Sequence, residues 1–200
     1  MSCSGRSTFG MLLILALCGE AGCANPCVSE KDKAEATLRK ARESRAEIYA
    51  PEAYGQAATS LRQAQDECRN QATTFLPLRS YRVATALFNE ALQRSERALA
   101  QAAAGEARAR QEALNSRYEA GMAVSDALLA VQRLKTLKGS PGSEDLLGRV
   151  AGLQHAMEFL QHKIDAGDYL EARELGGRIR EEAIRLQGQG NRQALPAPTP

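Results

Sequence analysis

Five cysteines and two histidines carry most of the reactive chemistry open to this 200-residue chain. His155 and His162 are seven residues apart. On a helix they share a face but lie about 10 Å apart along the axis. One metal ion cannot take both nitrogens, since zinc–nitrogen bonds are about 2 Å. Glu158 and Asp165 follow each histidine by three residues, the spacing of ordinary surface pairs. The cysteines are Cys3, Cys18, Cys23, Cys27 and Cys68. Cys23 and Cys27 have no second pair to complete a metal-binding set. The sequence holds no glycine-rich phosphate loop, Cys-x-x-Cys pair or nucleophile motif. The expectation is therefore no catalytic residue, no metal, no cofactor and no enzyme.

Composition points the same way. Lys+Arg number 26 against 24 Asp+Glu, a formal net charge of +2, which offers no basic surplus for nucleic acid. Alanine occurs 35 times, aromatic residues make up only 4%, and tryptophan is missing. Abundant Ala, Leu, Glu, Arg and Gln with few β-branched and aromatic residues favour helix over sheet.

Residues 1–22 read as an export signal. Arg6 is the lone charge ahead of an apolar stretch over residues 9–17. That stretch is well short of the roughly 20 residues a spanning helix needs, so it is expected to be a signal core, removed on export. Then comes Cys18-Gly19-Glu20-Ala21-Gly22-Cys23-Ala24. An apolar core ending in small residues and a cysteine resembles the lipobox of bacterial lipoproteins. Cys23 has Ala21 and Gly22 before it, although Glu20 departs from the aliphatic position of the pattern. Cys18 has bulky Leu17 where a small residue belongs. The resemblance therefore implies lipidation at Cys23, with attachment to the membrane through N-terminal acyl chains. Ala24 in place of an aspartate implies the outer rather than the inner membrane. The alternative is ordinary signal cleavage after Ala21 or Ala24.

The rest of the chain must supply the elements. Residues 23–30 read as a tether. Ala34, Leu38, Ala41, Arg45 and Ile48 step by 4, 3, 4, 3, predicting a helix over about 31–49 with Arg45 as a polar intrusion. Pro51 ends it and opens the next helix, about 51–70, with the stripe Tyr54, Ala57, Leu61, Ala64 and Cys68. The short gap makes the two an antiparallel hairpin. After a loop at 73–77, one long helix is expected from Ser80 to Lys138, with Gly105 and Gly121 as candidate breaks. Its middle, residues 105–119, is charged nearly all round and reads as a solvated face. Gly139 is expected to stop the long helix, and Ser140-Pro141-Gly142 to form a turn. Ser143 is expected to cap a helix carrying Val150, Leu153, Met157, Leu160 and Ile164, which Gly167 ends. Asp168 and Glu171 have the spacing of a reciprocal cap for a last helix with Ala172, Leu175, Ile179, Ala183 and Leu186. Residues 188–200 are expected to be a disordered tail. The expected fold is all-α and elongated: antiparallel helical hairpins packed on one long central helix, as two three-helix sub-bundles. One unit comprises residues 31–138, and a C-terminal hairpin at 139–187 packs on the far end of the long helix. Tyr54, Tyr81 and Tyr169 lie near helix starts and are expected to pack at hairpin corners.

The hairpin has a consequence for the cysteines. If processing removes Cys3 and Cys18 and lipid occupies Cys23, then Cys27 and Cys68 remain. Cys27 lies just before the first helix and Cys68 in the last turn of the second. The fold-back brings these ends together, so the two are a candidate disulfide in an oxidising compartment. The competing reading is a buried Cys68 and an unbonded thiol in the tether.

Tyr49-Ala50-Pro51-Glu52-Ala53-Tyr54, then Ala58, Leu61, Ala64, Tyr81, Ala84, Leu87 and Ala91, resemble an uncharacterised family of α-helical bacterial envelope lipoproteins. Some members are fused to OmpA-like peptidoglycan-binding domains, but no such domain is seen here. The Gly167-Asp168-Tyr169-x-x-Ala172 stretch is similar to the second-helix entry of a tetratricopeptide repeat, although the 34-residue period is missing. Together the resemblances imply a lipid-anchored, non-catalytic scaffold or spacer in the periplasm with an envelope protein as partner. The alternative is a periplasmic ligand-binding or chaperone-like module.

Overall fold

The structure, a computed structural model, describes residues 27–75, 78–138 and 142–194. The expected signal segment, Cys23, most of its tether, the turn at 139–141 and residues 195–200 lie outside the described residues. Within them the chain is all-α, with no strand. The helices are α1 (Val28–Glu43), α2 (Ala46–Tyr49), α3 (Pro51–Thr73), α4 (Arg82–Lys138), α5 (Gly142–Asp165) and α6 (Tyr169–Ala194). The chain divides into two compact units, Met1–Ala102 and Ala103–Pro200, and α4 contributes a segment to each. Gly105 and Gly121 both lie inside α4, which runs unbroken from Arg82 to Lys138.

In the first unit, α1 and α3 form the expected antiparallel hairpin. Cys27 and Cys68 meet in one apolar cluster, and further along Gln65 donates to the Glu35 carboxylate at 2.8 Å. The first segment of α4 completes the core with Ala84, Phe88, Ala91, Ser95, Ala98 and Ala102, spaced 4, 3, 4, 3, 4. That is a heptad stripe made almost wholly of small residues, which lets helix axes approach closely. Phe88 is the one large side chain in it and is fully buried. Ser95 satisfies its buried hydroxyl by donating to the Ala91 carbonyl at 2.8 Å.

The helix predicted over 31–49 is broken. It ends at Glu43, and Arg45 takes a left-handed conformation with φ 55°. The polar intrusion in the apolar stripe marks the place where the helix stops. The chain turns there, Ala46 and Ala50 become buried, and Ile48, expected in the stripe, is left 55% exposed. Few non-glycine residues adopt this backbone region.

In the second unit, α4 and α6 run parallel. Ser116 donates to the Arg173 carbonyl at 2.9 Å, Arg173 pairs with Glu112 at 2.7 Å, and Arg180 pairs with Glu119 at 3.3 Å. Gly190 faces Ala130. Every pair is offset by about 60 residues, so the two helices advance together. Helix α5 lies between them in sequence and carries Leu146, Val150, Leu160 and Ile164 into the shared core. The charged side chains in the middle of α4 are largely exposed, as expected of a solvated face, but the stretch also has a packed side that was not expected. Ala109, Ala113 and Ala120 are buried, and two of the acidic residues bridge to α6. Charges at neighbouring positions masked an alanine stripe with the right period.

The last helix also outruns its expected end. It continues to Ala194 with Gly190 buried, so residues 188–194 are helix rather than tail. Ser143, expected to precede its helix as a cap, lies in the first turn and is buried. Gly167 does end α5. It adopts φ 80°, its N–H donates to the Ile164 carbonyl, and the Asp168 N–H donates to Lys163. This is the paired closure in which a left-handed glycine lets the chain satisfy the last helical carbonyls. The reciprocal cap expected of Asp168 and Glu171 is replaced. The Asp168 N–H is taken by the Lys163 carbonyl, and both carboxylates turn to the Lys163 ammonium, at 3.4 and 2.7 Å.

Candidate functional site

Of the residues with reactive chemistry, Cys27 and Cys68 come together at one end of the first unit, where α1 begins and α3 ends. Cys27 caps the start of α1 and is 1% exposed; Cys68 packs against it from α3. A hydrogen bond links the two thiols, and both are thiols rather than a disulfide in the structure. They line a cleft of about 370 Å³ with Lys31, Gln65, Arg69 and Phe88. Lys31 is paired with Glu35 at 3.8 Å and Arg69 with Asp66 at 3.2 Å.

Burial, then the bond to Cys68 and the nearby Cys68 and Glu30 charges, push the Cys27 thiol up to about 12. Burial disfavours the thiolate, so the neutral form is the one the fold stabilises. The sign for the reduced protein follows. The contribution is fully present below the ordinary thiol range near 9 and is lost as pH rises from there towards 12. At pH 8 Cys27 stays the neutral thiol. Iodoacetamide is therefore expected to modify Cys68 well before Cys27 in the folded, reduced protein, and both equally once it is unfolded. Peptide mass mapping checks this; equal labelling in the folded state would contradict the buried placement of Cys27.

The α3–α4 connection stands at the same end. Arg79 donates to the carbonyls of Ala72 and Thr74, both at 2.8 Å, and so closes the end of α3. The Ser80 N–H donates to the Gln71 side chain at 3.0 Å, and the Leu78 N–H to the Phe75 carbonyl at 2.9 Å. Phe75 and Leu78, in the same connection, are 72% and 73% exposed. Reading the loop only as a chain reversal missed this. The signal was two large apolar residues in a segment with no helical partner stripe.

The remaining candidates are dispersed. His155 is exposed and sits 3.4 Å from Glu158; His162 is exposed on the same helix. Among the described residues no three His, Cys, Asp or Glu side chains come together as a metal site. Tyr81 and Tyr169 pack against the cores of the two units. Tyr54 packs at the α2–α3 corner, where burial and a hydrogen bond to Glu47 raise its phenol above the usual range. Lys163, over the Phe159 ring at 5.8 Å, is raised chiefly by its bond to Glu171. No helix among the described residues is long and apolar enough to cross a membrane. Compared with protein-family models, curated proteins and solved structures, the chain matches none.

Proposed function

We propose that the chain is a lipid-anchored helical protein of the bacterial envelope that acts as a non-catalytic scaffold or spacer, attached through acylated Cys23 and serving an envelope protein partner. The observation that carries this reading is the pairing of two features. An apolar signal-like stretch ends in Ala21-Gly22-Cys23, and four residues later the chain enters a helical unit closed by small residues. Alanine-lined and glycine-lined contacts bring helices close and leave little interior volume for a ligand. That favours a scaffold over a ligand-binding or chaperone-like module. An outer-membrane location facing the periplasm fits Ala24, and the family resemblance at Tyr49-Ala50-Pro51-Glu52 supports the same class.

Cys23→Ser is expected to abolish fatty-acid labelling and to move the protein from the membrane to the soluble periplasmic fraction. Labelling that survives Cys23→Ser but not Cys18→Ser would place the cleavage site at Cys18. Crosslinking in intact envelopes should recover a defined protein partner. Recovery of a co-purified apolar ligand by mass spectrometry, with no crosslinked protein, would favour the binding module instead.

A further inference from the structure

Four exposed apolar side chains lie at the end of the first unit that carries the thiols. Phe75 and Leu78 are 72% and 73% exposed, Val83 is 55% exposed, and Val28 is 49% exposed. All four lie where α1 starts, α3 ends and α4 begins. Val28 shares the cleft wall with Cys68 and Ala72, and Val83 adjoins Ala84, which packs in the same cluster as Cys27. Arg79, just after Leu78, is tied to the end of α3 by its bonds to the Ala72 and Thr74 carbonyls. Arg82 is exposed beside them, and the first turn of α4 has no acidic residue.

We infer that this tip is a membrane-contact surface. Phe75 and Leu78, flanked by Val28 and Val83, enter the boundary between headgroups and acyl chains, and Arg82 meets the lipid phosphates. The inference rests on the anchoring of Cys23, and the length of chain decides the occupant. Cys27 is the fourth residue after Cys23, and four residues span at most about 14 Å. The start of α1 is thus leashed within that distance of the bilayer, and the apolar tip goes with it. Side chains of peripheral elements sink about 5–10 Å into the interface, a depth within reach of this leash. A scaffold held on a floppy tether would have no fixed orientation. One resting on the tip stands with the α1–α3 hairpin directed away from the lipid.

The chain contains no tryptophan, so Phe75→Trp creates a single fluorescent reporter at an exposed position. The matched control is Ile48→Trp, also exposed, at the opposite end of the α1–α3 hairpin. A 16-residue α1 separates the two by roughly 24 Å. The full lipidated chain is reconstituted in phosphatidylethanolamine–phosphatidylglycerol vesicles, with or without acyl-brominated lipid. The tryptophan at position 75 is expected to emit further to the blue and to be quenched by bromine; that at 48 is expected to be neither. Equal, water-like emission from both positions would overturn the proposal, and a tip covered by another protein would give that result in pure vesicles. A second measurement does not depend on acylation. The Cys23→Ser full chain carrying Phe75→Trp is titrated with the same vesicles, and replacing Leu78 by Ser should weaken partitioning about tenfold or more. If fatty-acid labelling shows that Cys23 is not acylated, the anchoring fails by itself; absence of partitioning in this titration then overturns the tip as well.

Discussion

Cys68→Ser is expected to lower the stability of the oxidised first unit by about 4 kcal/mol in the chain-entropy account. The fold places the Cys27 and Cys68 side chains in hydrogen-bond contact across the open end of a hairpin whose closed end is at Ala46–Pro51. In an oxidising compartment the two thiols would exchange with an incoming disulfide. One thiolate attacks to give a mixed disulfide, the second displaces the carrier, and the carrier leaves as two thiols with the electrons and protons. The resulting bond closes a loop of about 40 residues, from which the magnitude follows. Oxidised glutathione added to the purified full chain supplies the reagent. A crosslinked peptide containing Cys27 and Cys68, and none of either thiol left after unfolding, would support the bond. Both thiols still alkylating in the unfolded, unreduced protein would sink it. Chemical denaturation of oxidised wild type against Cys68→Ser then measures the stabilisation. Cys68→Ala should lose as much, which separates the crosslink from the polarity of serine.

The second large effect lies at Gly176, where enlarging a glycine should destabilise the second unit although glycine is the poorest helix former after proline. A Cβ at Gly176 would collide with Ser116 Oγ and stand 3.2 Å from the Ser116 backbone carbon. The hydroxyl can rotate away, at the loss of its bond to the Arg173 carbonyl; the backbone cannot. Gly176→Leu is expected to cost about 3 kcal/mol, the upper range for overpacking, and Gly176→Ala less. The next residue is an internal control. A Cβ at Gly177 meets nothing within 4 Å. Gly177→Ala should therefore stabilise by about 1 kcal/mol through helix propensity alone. Opposite signs at adjacent positions, measured by thermal unfolding of the full chain, test the parallel α4–α6 packing. Tolerance of leucine at Gly176 would refute that register.

Much of this architecture was legible because helical packing repeats in the sequence. The stripes in α3, α5 and α6 follow steps of three and four residues, and Pro51 and Gly167 mark boundaries through backbone rules that act locally. The fold-back at residue 50 required only that the gap between two helices be short, and it correctly brought Cys27 to Cys68. The stripe was misread where a single residue carried conflicting information. Arg45 looked like a polar intrusion in one helix, and the helix instead stops just before it, with Arg45 in a left-handed conformation. Gly176, Gly190, Ser60 and Ser95 are buried. They went unnoticed because a search for apolar side chains passes over residues whose use in packing is their small size.

The sequence by itself determined that the chain is helical, where most helices begin and end, and which face of each is apolar, since these follow from propensity, period and turn chemistry along short stretches of chain. The tertiary structure decided which faces meet. It packed the alanine side of a charged stretch of α4 against α6, and it drew seven residues of the expected tail into a helix. It also left Val28, Phe75, Leu78 and Val83 exposed where α1 starts, α3 ends and α4 begins. These outcomes depend on contacts between residues up to about 60 positions apart. Helical periodicity has no memory over that distance; only the close approach of small-residue faces, and the burial it permits, selects one register from the many a heptad pattern allows.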